Sequence, residues 1–180
     1  MNSEEKVVDV VEQKAMDLLE EFQVETTEGF DVVLLAKQMG FFVANAILPD
    51  NEDGFIAVDP NNKNLLDTGS NKVIGINTKR DFYEKRFVIA HEIGHYVLCA
   101  GRENKLYAHR EKKVENRDEY EQKVDFFAAC LLMPRDSFIN KYNELQKKDI
   151  SSNDVISVLQ RIFSVPFDSV VRRISELNLS

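Results

Sequence analysis

Residues 81–100 (DFYEKRFVIAHEIGHYVLCA) have the spacing of a helix of about six turns, and Gly101 directly after them is a typical C-cap. Apolar runs at 87–90 and 96–98 flank a polar centre, His91-Glu92-Ile93-Gly94-His95. The segment therefore predicts a mostly buried helix with two imidazoles and a carboxylate at its middle. Gly94 lowers helix propensity by about 1 kcal/mol relative to Ala, so we expect another group, such as a strand or a substrate, to approach the backbone there.

The two histidines are four residues apart, which places both rings on one face of a helix, one turn from each other. Imidazole nitrogens and carboxylate oxygens are ligands that Zn²⁺ prefers, and a catalytic zinc site leaves one position open. Glu92 follows the first histidine and can act as general base on a water at that position. The pattern predicts one Zn²⁺ per chain, held by His91 and His95. Two hydrogen-bonded helix histidines without metal are the alternative.

A third protein ligand must come from elsewhere in the chain. His109 is the only other histidine, and it lies in the polar stretch 102–117, which reads as a loop. The predicted helix 118–133 offers carboxylates instead. Glu121 and Asp125 lie on one face of it, so we expect Glu121 to bind the metal and Asp125 to support a ligand imidazole. Two alternatives stay open: Glu121 is a solvated carboxylate, or Cys99, on the same helix face as the histidines, supplies a thiolate.

Peptide hydrolysis at such a site needs a group that stabilises the oxyanion. The sequence offers four candidates for this role or for proton donation, and it does not choose among them. For one of these, Tyr96, packing in the core is the simpler explanation. The candidates are Tyr96, Tyr107, His109 and Tyr120.

The remaining segments predict an α+β fold. Helices are expected at 3–22, 30–39, 118–133 and 135–149, and two short helices within 151–177. Short strands are expected at 41–46, 54–58 and 72–77, joined by turn-rich segments, which favours a small three-stranded, mainly antiparallel sheet.

Composition limits the classes of function. The formal net charge is -8, from 31 acidic and 23 basic residues, which argues against wholesale binding to nucleic acid or to an anionic membrane. The two cysteines, Cys99 and Cys130, do not make a disulfide framework and are expected to be free thiols in a reducing compartment. Residues 1–22 are charged from the start and lack an apolar h-region, so we expect a cytoplasmic protein.

The sequence resembles the ImmA/IrrE family of metallo-endopeptidases, HExxH zinc peptidases of gluzincin-like type, over roughly residues 30–138. The resemblance rests on 54–59 (GFIAVD), 73–77 (VIGIN), 86–98 (RFVIAHEIGHYVL) and 127–134 (FAACLLMP). The family writes its glutamate ligand as E-x-x-A-N or a close variant, whereas this chain has Glu121-Gln122-Lys123-Val124-Asp125. Many members carry a histidine where this chain has Cys99.

The resemblance implies a zincin-like metallopeptidase domain, which we place at residues 1–150. The pattern of residues 151–180 predicts a helix-turn-helix-like helical pair packed on that domain. The resemblance also implies a cytoplasmic protease that cleaves a helix-turn-helix repressor and so derepresses mobile-element, prophage or stress genes. The alternative is a DNA-binding or repressor-binding regulator that keeps the metal for structure only, because residues 154–174 resemble a helix-turn-helix. Direct nucleic acid binding is not expected, since this pair carries few cations.

Overall fold

The computed structural model describes residues 3–99, 107–112 and 119–179, with backbone alone for 3–9 and 107–112. Seven helices and four strands make up this part of the chain, in an α+β arrangement. Their order is α1 (Ser3–Glu21), α2 (Val32–Gln38), β1 (Phe42–Ala46), β2 (Glu52–Val58), β3 (Lys72–Asn77), α3 (Phe82–Leu98), β4 (Tyr107–Lys112), α4 (Glu119–Leu132), α5 (Arg135–Gln146), α6 (Ser152–Phe163) and α7 (Phe167–Glu176).

The sheet has the strand order β1-β3-β2-β4. β2 runs antiparallel to both of its neighbours, and Ile56 pairs with Ile74 on one side and His109 on the other. β1 runs parallel to β3, with Ala44 opposite Gly75. The α+β class is thus confirmed, and the sheet is mixed.

The prediction of a loop across 102–117 was wrong for residues 107–112, which form β4. This segment, Tyr-Ala-His-Arg-Glu-Lys, is mostly polar and has no apolar alternation that would mark a strand. Its backbone pairs with β2 from Tyr107 opposite Val58 to Lys112 opposite Glu52. Pairing with a distant strand therefore overrides the weak local preference.

The predicted helix 81–100 is confirmed as α3, with Asp81 as its N-cap. Asp81 accepts a hydrogen bond from the Glu84 amide at 2.8 Å, and the Glu84 carboxylate accepts one from the Asp81 amide at 3.0 Å. This capping box satisfies amides that a helix start leaves unpaired. The helix ends at Leu98, and the predicted C-cap, Gly101, lies outside the described residues.

α3 packs against the sheet through β2 and β3 and against α4 on another side. One buried apolar cluster joins the sheet to the helices. Its members include Leu19, Leu35, Ile56, Ile74, Ile93, Phe127, Phe138, Leu159 and Phe163. Within the described ranges, the chain has no helix with the length and apolar character needed to span a lipid bilayer.

The C-terminal pair, α6 and α7, joins this core through Phe163, Val165 and Val170, all fully buried. The two helices meet at Ser164, which adopts a left-handed conformation with φ of 54°. Arg86 of α3 donates a hydrogen bond to the Ser164 carbonyl at 2.8 Å, which holds the turn against the centre of the protein. The division of the chain at residue 150 stays a prediction.

Candidate metal centre

His91 and His95 lie on the buried face of α3, with 2% and 0% of their surface exposed. Their Nε2 atoms are 3.0 Å apart. The Oε2 atom of Glu121, from the first turn of α4, lies 3.2 Å from the His91 nitrogen and 3.4 Å from the His95 nitrogen. Three side chains from two helices therefore meet at one point.

The donor set and its spacing fit a divalent metal ion. The ligand atoms of His91, His95 and Glu121 all lie within 4.8 Å of one another. A tetrahedral ion with ligands at about 2.0–2.1 Å would set neighbouring ligand atoms roughly 3.3 Å apart, close to the three distances observed. The Glu121 carboxylate is only 18% exposed, so it faces the imidazoles and not the solvent.

Asp125 lies one turn after Glu121 on α4 and contacts the far side of the His91 ring. Its Oδ1 is 3.0 Å from His91 Nδ1, and its side chain is 8% exposed. A carboxylate at this distance accepts the Nδ1 proton, which selects the tautomer that leaves Nε2 as an acceptor towards Glu121 and His95. The structure thus brings Asp125 to the position expected for a residue that supports a ligand.

Glu92 is fully buried beside this cluster. Strand β2 passes it at Gly54, where an added Cβ would be in ordinary contact with Glu92 Oε1 at 3.5 Å. The crowding at Gly54 comes from Val88 Cγ1 at 2.5 Å and the Gly75 carbonyl oxygen at 2.9 Å. Sequence reasoning missed Gly54 as part of the site. A glycine inside a strand pattern is a signal for close approach of another group, and it could have indicated this contact.

The expected close approach at Gly94 is present, and the neighbour is helix α4. An added Cβ would lie 3.0 Å from Val124 Cγ1 and 3.0 Å from Phe127 Cδ1, both on α4. Glycine therefore lets α4 come near enough to α3 for Glu121 to reach the histidines.

The four candidates for oxyanion stabilisation differ in where the structure places them relative to the metal centre. The Tyr120 ring lies 5.6 Å from the His95 ring, between centroids, and stays a candidate. The Tyr96 hydroxyl accepts a hydrogen bond from Lys72 Nζ at 2.6 Å, and its ring packs edge-on against Phe41 at 5.1 Å. This position favours the packing explanation for Tyr96 over a role at the metal.

The other two candidates, Tyr107 and His109, lie in β4, and their side chains are outside the described residues. Among the described residues, the cluster with metal-binding geometry does not include Cys99, so the thiolate alternative has no support. Both cysteines are free thiols. Burial raises the pKa of Cys130 to about 12, which keeps that thiol protonated and unreactive.

The three arginines of the C-terminal pair do not form one basic surface. Arg173 is fully buried and binds Glu12 on α1 at 2.8 Å. Arg172 Nη1 lies 3.6 Å from Asp125 Oδ2, while its Nε donates to Glu176 Oε1 at 2.9 Å. Arg161 is exposed on α6, and the Arg172 side chain is 48% exposed.

The model of one known family, described as the IrrE N-terminal-like domain of Peptidase_M78, matches residues 49–175. The chain belongs to this family. The matched part of this IrrE-like chain begins just before β2 and includes α3, α4 and nearly all of the C-terminal pair. This membership confirms the family resemblance that the sequence motifs indicated.

A Mycobacterium tuberculosis structure named a transcriptional regulator shares the fold of the IrrE-like chain, with a TM-score of 0.53 and 17% sequence identity. The alignment covers 94% of this chain and 47% of that one, so the IrrE-like chain spans about half the length of the regulator. No curated protein matches the chain in sequence.

Proposed function

We propose that this IrrE-like chain is a zinc-dependent endopeptidase. The observation that carries the proposal is the convergence of His91, His95 and Glu121, with Glu92 buried next to the first histidine. Two imidazoles and one carboxylate are a catalytic zinc donor set, in which three protein ligands leave a position for water or substrate. A structural zinc site has four protein ligands and no use for an adjacent base.

His91, His95 and Glu121 would hold the ion, and Asp125 keeps the His91 ring in the orientation that binding requires. A bound zinc ion supplies Lewis acidity, which polarises a peptide carbonyl and lowers the pKa of water. Glu92 takes the proton from the attacking water and then delivers it to the nitrogen of the leaving amine. Its burial keeps bulk water from competing for that proton.

The substrate that we propose is a helix-turn-helix repressor, cleaved in the cytoplasm to release mobile-element, prophage or stress genes. Support for this substrate comes from the family to which the chain belongs, and the choice of a repressor as substrate extends that family assignment. The experiment is metal analysis of the purified protein, together with a cleavage assay on the repressor encoded beside it. Stoichiometric zinc with cleavage that a chelator stops supports the proposal; zinc-loaded protein that leaves every such repressor intact contradicts it.

A second candidate is a regulator that binds DNA or a repressor and keeps the metal for structure. The name of the Mycobacterium tuberculosis structure and the helical pair α6–α7 favour considering it. The contacts of Arg172 and Arg173 weigh against DNA binding. Arg173 is buried against Glu12, and the half-exposed Arg172 is already paired with acidic side chains of this chain. A shift of duplex DNA in a gel at low salt would favour the regulator.

A further inference from the structure

A chain of contacts leads from the C-terminal helix α7 to the candidate metal centre. Arg172 Nη1 lies 3.6 Å from Asp125 Oδ2, and the other oxygen of that carboxylate lies 3.0 Å from His91 Nδ1. The Nε2 atom of the same ring faces Glu121 and His95. Arg172 is therefore two contacts away from His91, a candidate ligand of the ion that the cluster would hold.

The charge of Arg172 matters because Asp125 is almost inaccessible to solvent, with 8% of its side chain exposed. A buried carboxylate loses hydration, and an opposite charge nearby compensates for part of that loss. Arg172 is itself about half exposed, at 48%, so it brings its charge to the carboxylate without being fully dehydrated. Glu176 accepts a hydrogen bond from its Nε at 2.9 Å, which limits where the guanidinium can point.

The backbone that carries Arg172 is fixed in two places. Its neighbour Arg173 donates to Glu12 at 2.8 Å and to the carbonyl of Met133, just after α4, at 3.2 Å. At the other end of α7, the turn at Ser164 accepts a hydrogen bond from Arg86 of α3. Since α3 and α4 carry the candidate ligands, α7 is attached to the same elements that it would influence.

We propose that Arg172 is a positioning residue of the metal centre: it holds the Asp125 carboxylate in the orientation that presents His91 to the ion. The C-terminal helix is then part of the metal site and is not only a packing element or a docking surface. This inference rests on the proposed function, because it assumes that the cluster binds metal.

The first test measures zinc affinity of the full-length apo-protein by competition with a chromogenic chelator. Loss of a residue that supports a metal ligand typically weakens binding about 10–100-fold. Arg172 acts one contact further out, so we expect Arg172→Ala to weaken zinc binding about 3–10-fold, and Arg172→Lys to recover part of the loss. Arg161→Ala removes the same charge from the neighbouring helix and should bind zinc as the wild type does. An affinity of Arg172→Ala within twofold of wild type would overturn the proposal.

A double-mutant cycle shows whether Arg172 acts through Asp125. In an Asp125→Asn background, Arg172→Ala should cause no further loss of zinc affinity. If the two losses multiply instead, Arg172 works by another route and the proposal fails. Circular dichroism of each apo-variant checks that the fold is retained.

A measurement on the metal-free protein tests the role of Arg172 independently of the proposed peptidase function. Long-range ¹H–¹⁵N NMR of the apo-protein reports which His91 ring nitrogen carries the proton. The wild type should show the Nδ1-protonated tautomer, and Arg172→Ala should show a mixture, whereas Arg161→Ala should not. A wild type that binds no zinc would refute the metal site, while an unchanged His91 spectrum in Arg172→Ala would refute the role of Arg172.

Discussion

Gly94 of α3 faces Val124 of α4 so closely that a Cβ on the glycine would lie 3.0 Å from Val124 Cγ1. The same two helices carry the three candidate metal ligands, so the distance between the helices sets the distance between His95 and Glu121. A side chain where α3 and α4 cross can therefore change the distance between the metal ligands without contacting them.

Gly94→Ala should therefore weaken zinc binding. The alanine gains about 1 kcal/mol of helix propensity, but overpacking at a tight contact typically costs about 1–3 kcal/mol. We expect a small net loss of stability and a loss of zinc affinity of several-fold, measured by urea unfolding and by chelator competition. The double variant Gly94→Ala/Val124→Ala removes the Val124 methyl groups and should recover part of the affinity, because Phe127 Cδ1 still lies 3.0 Å from the added Cβ. Wild-type zinc affinity in the Gly94→Ala single variant would contradict the role of helix separation.

Glu92→Gln should bind zinc as tightly as the wild type and lose peptidase activity. Glutamine has the size of glutamate but cannot take a proton from water, and general-base catalysis contributes about 10²–10⁴-fold to rate. Zinc content by mass spectrometry and initial cleavage rates test both parts. Glu119→Gln, at a carboxylate that is 85% exposed on α4, is the matched control and should cleave normally. Cleavage by Glu92→Gln at the wild-type rate would exclude Glu92 as the base.

Glu121→Ala should lower zinc affinity by at least about 100-fold, because it removes one of three protein ligands, a larger change than loss of a supporting residue. The measurement is chelator competition on the apo-protein, and Glu119→Ala on the same helix turn is its control. If Glu121→Ala retained wild-type affinity, another group would have to complete the site.

Glu12→Gln should destabilise the protein at neutral pH and much less in acid. Burial acts to raise the pKa of Glu12, but the hydrogen bonds and charges of Arg135 and Arg173 outweigh it, so the pKa lies below 4.5. A lowered pKa in the folded state gives stability that is complete above 4.5 and is lost as pH falls through the folded-state pKa.

At pH 7 the substitution removes the nearer of two carboxylates from the buried Arg173 and leaves Glu176 at 3.5 Å. Breaking a buried ion pair typically costs about 3 kcal/mol. Urea unfolding at pH 7 and at successive pH values below 4.5 measures the difference between Glu12→Gln and wild type, which should shrink as the pH falls. Glu20→Gln, at an exposed position of α1, should show no such trend. A difference that stays constant with pH would contradict the role of the Glu12 charge.

The sequence by itself determined the helices and the polar centre of the site. The four-residue spacing of His91 and His95, and of Glu121 and Asp125, places each pair on one helix face whatever surrounds the helix, because that geometry is local. The apolar periodicity of α1, α3 and α4 likewise predicts which face is buried.

Tertiary structure decided what depends on partners distant in sequence. The polar segment of β4 becomes a strand only because β2 offers backbone pairing, and β1 runs parallel to β3. Arg172, within the segment that resembles a helix-turn-helix, meets Asp125, 47 positions earlier in the chain. Such contacts arise when separate elements pack together, and the free energy of that packing is not encoded in any short stretch of residues.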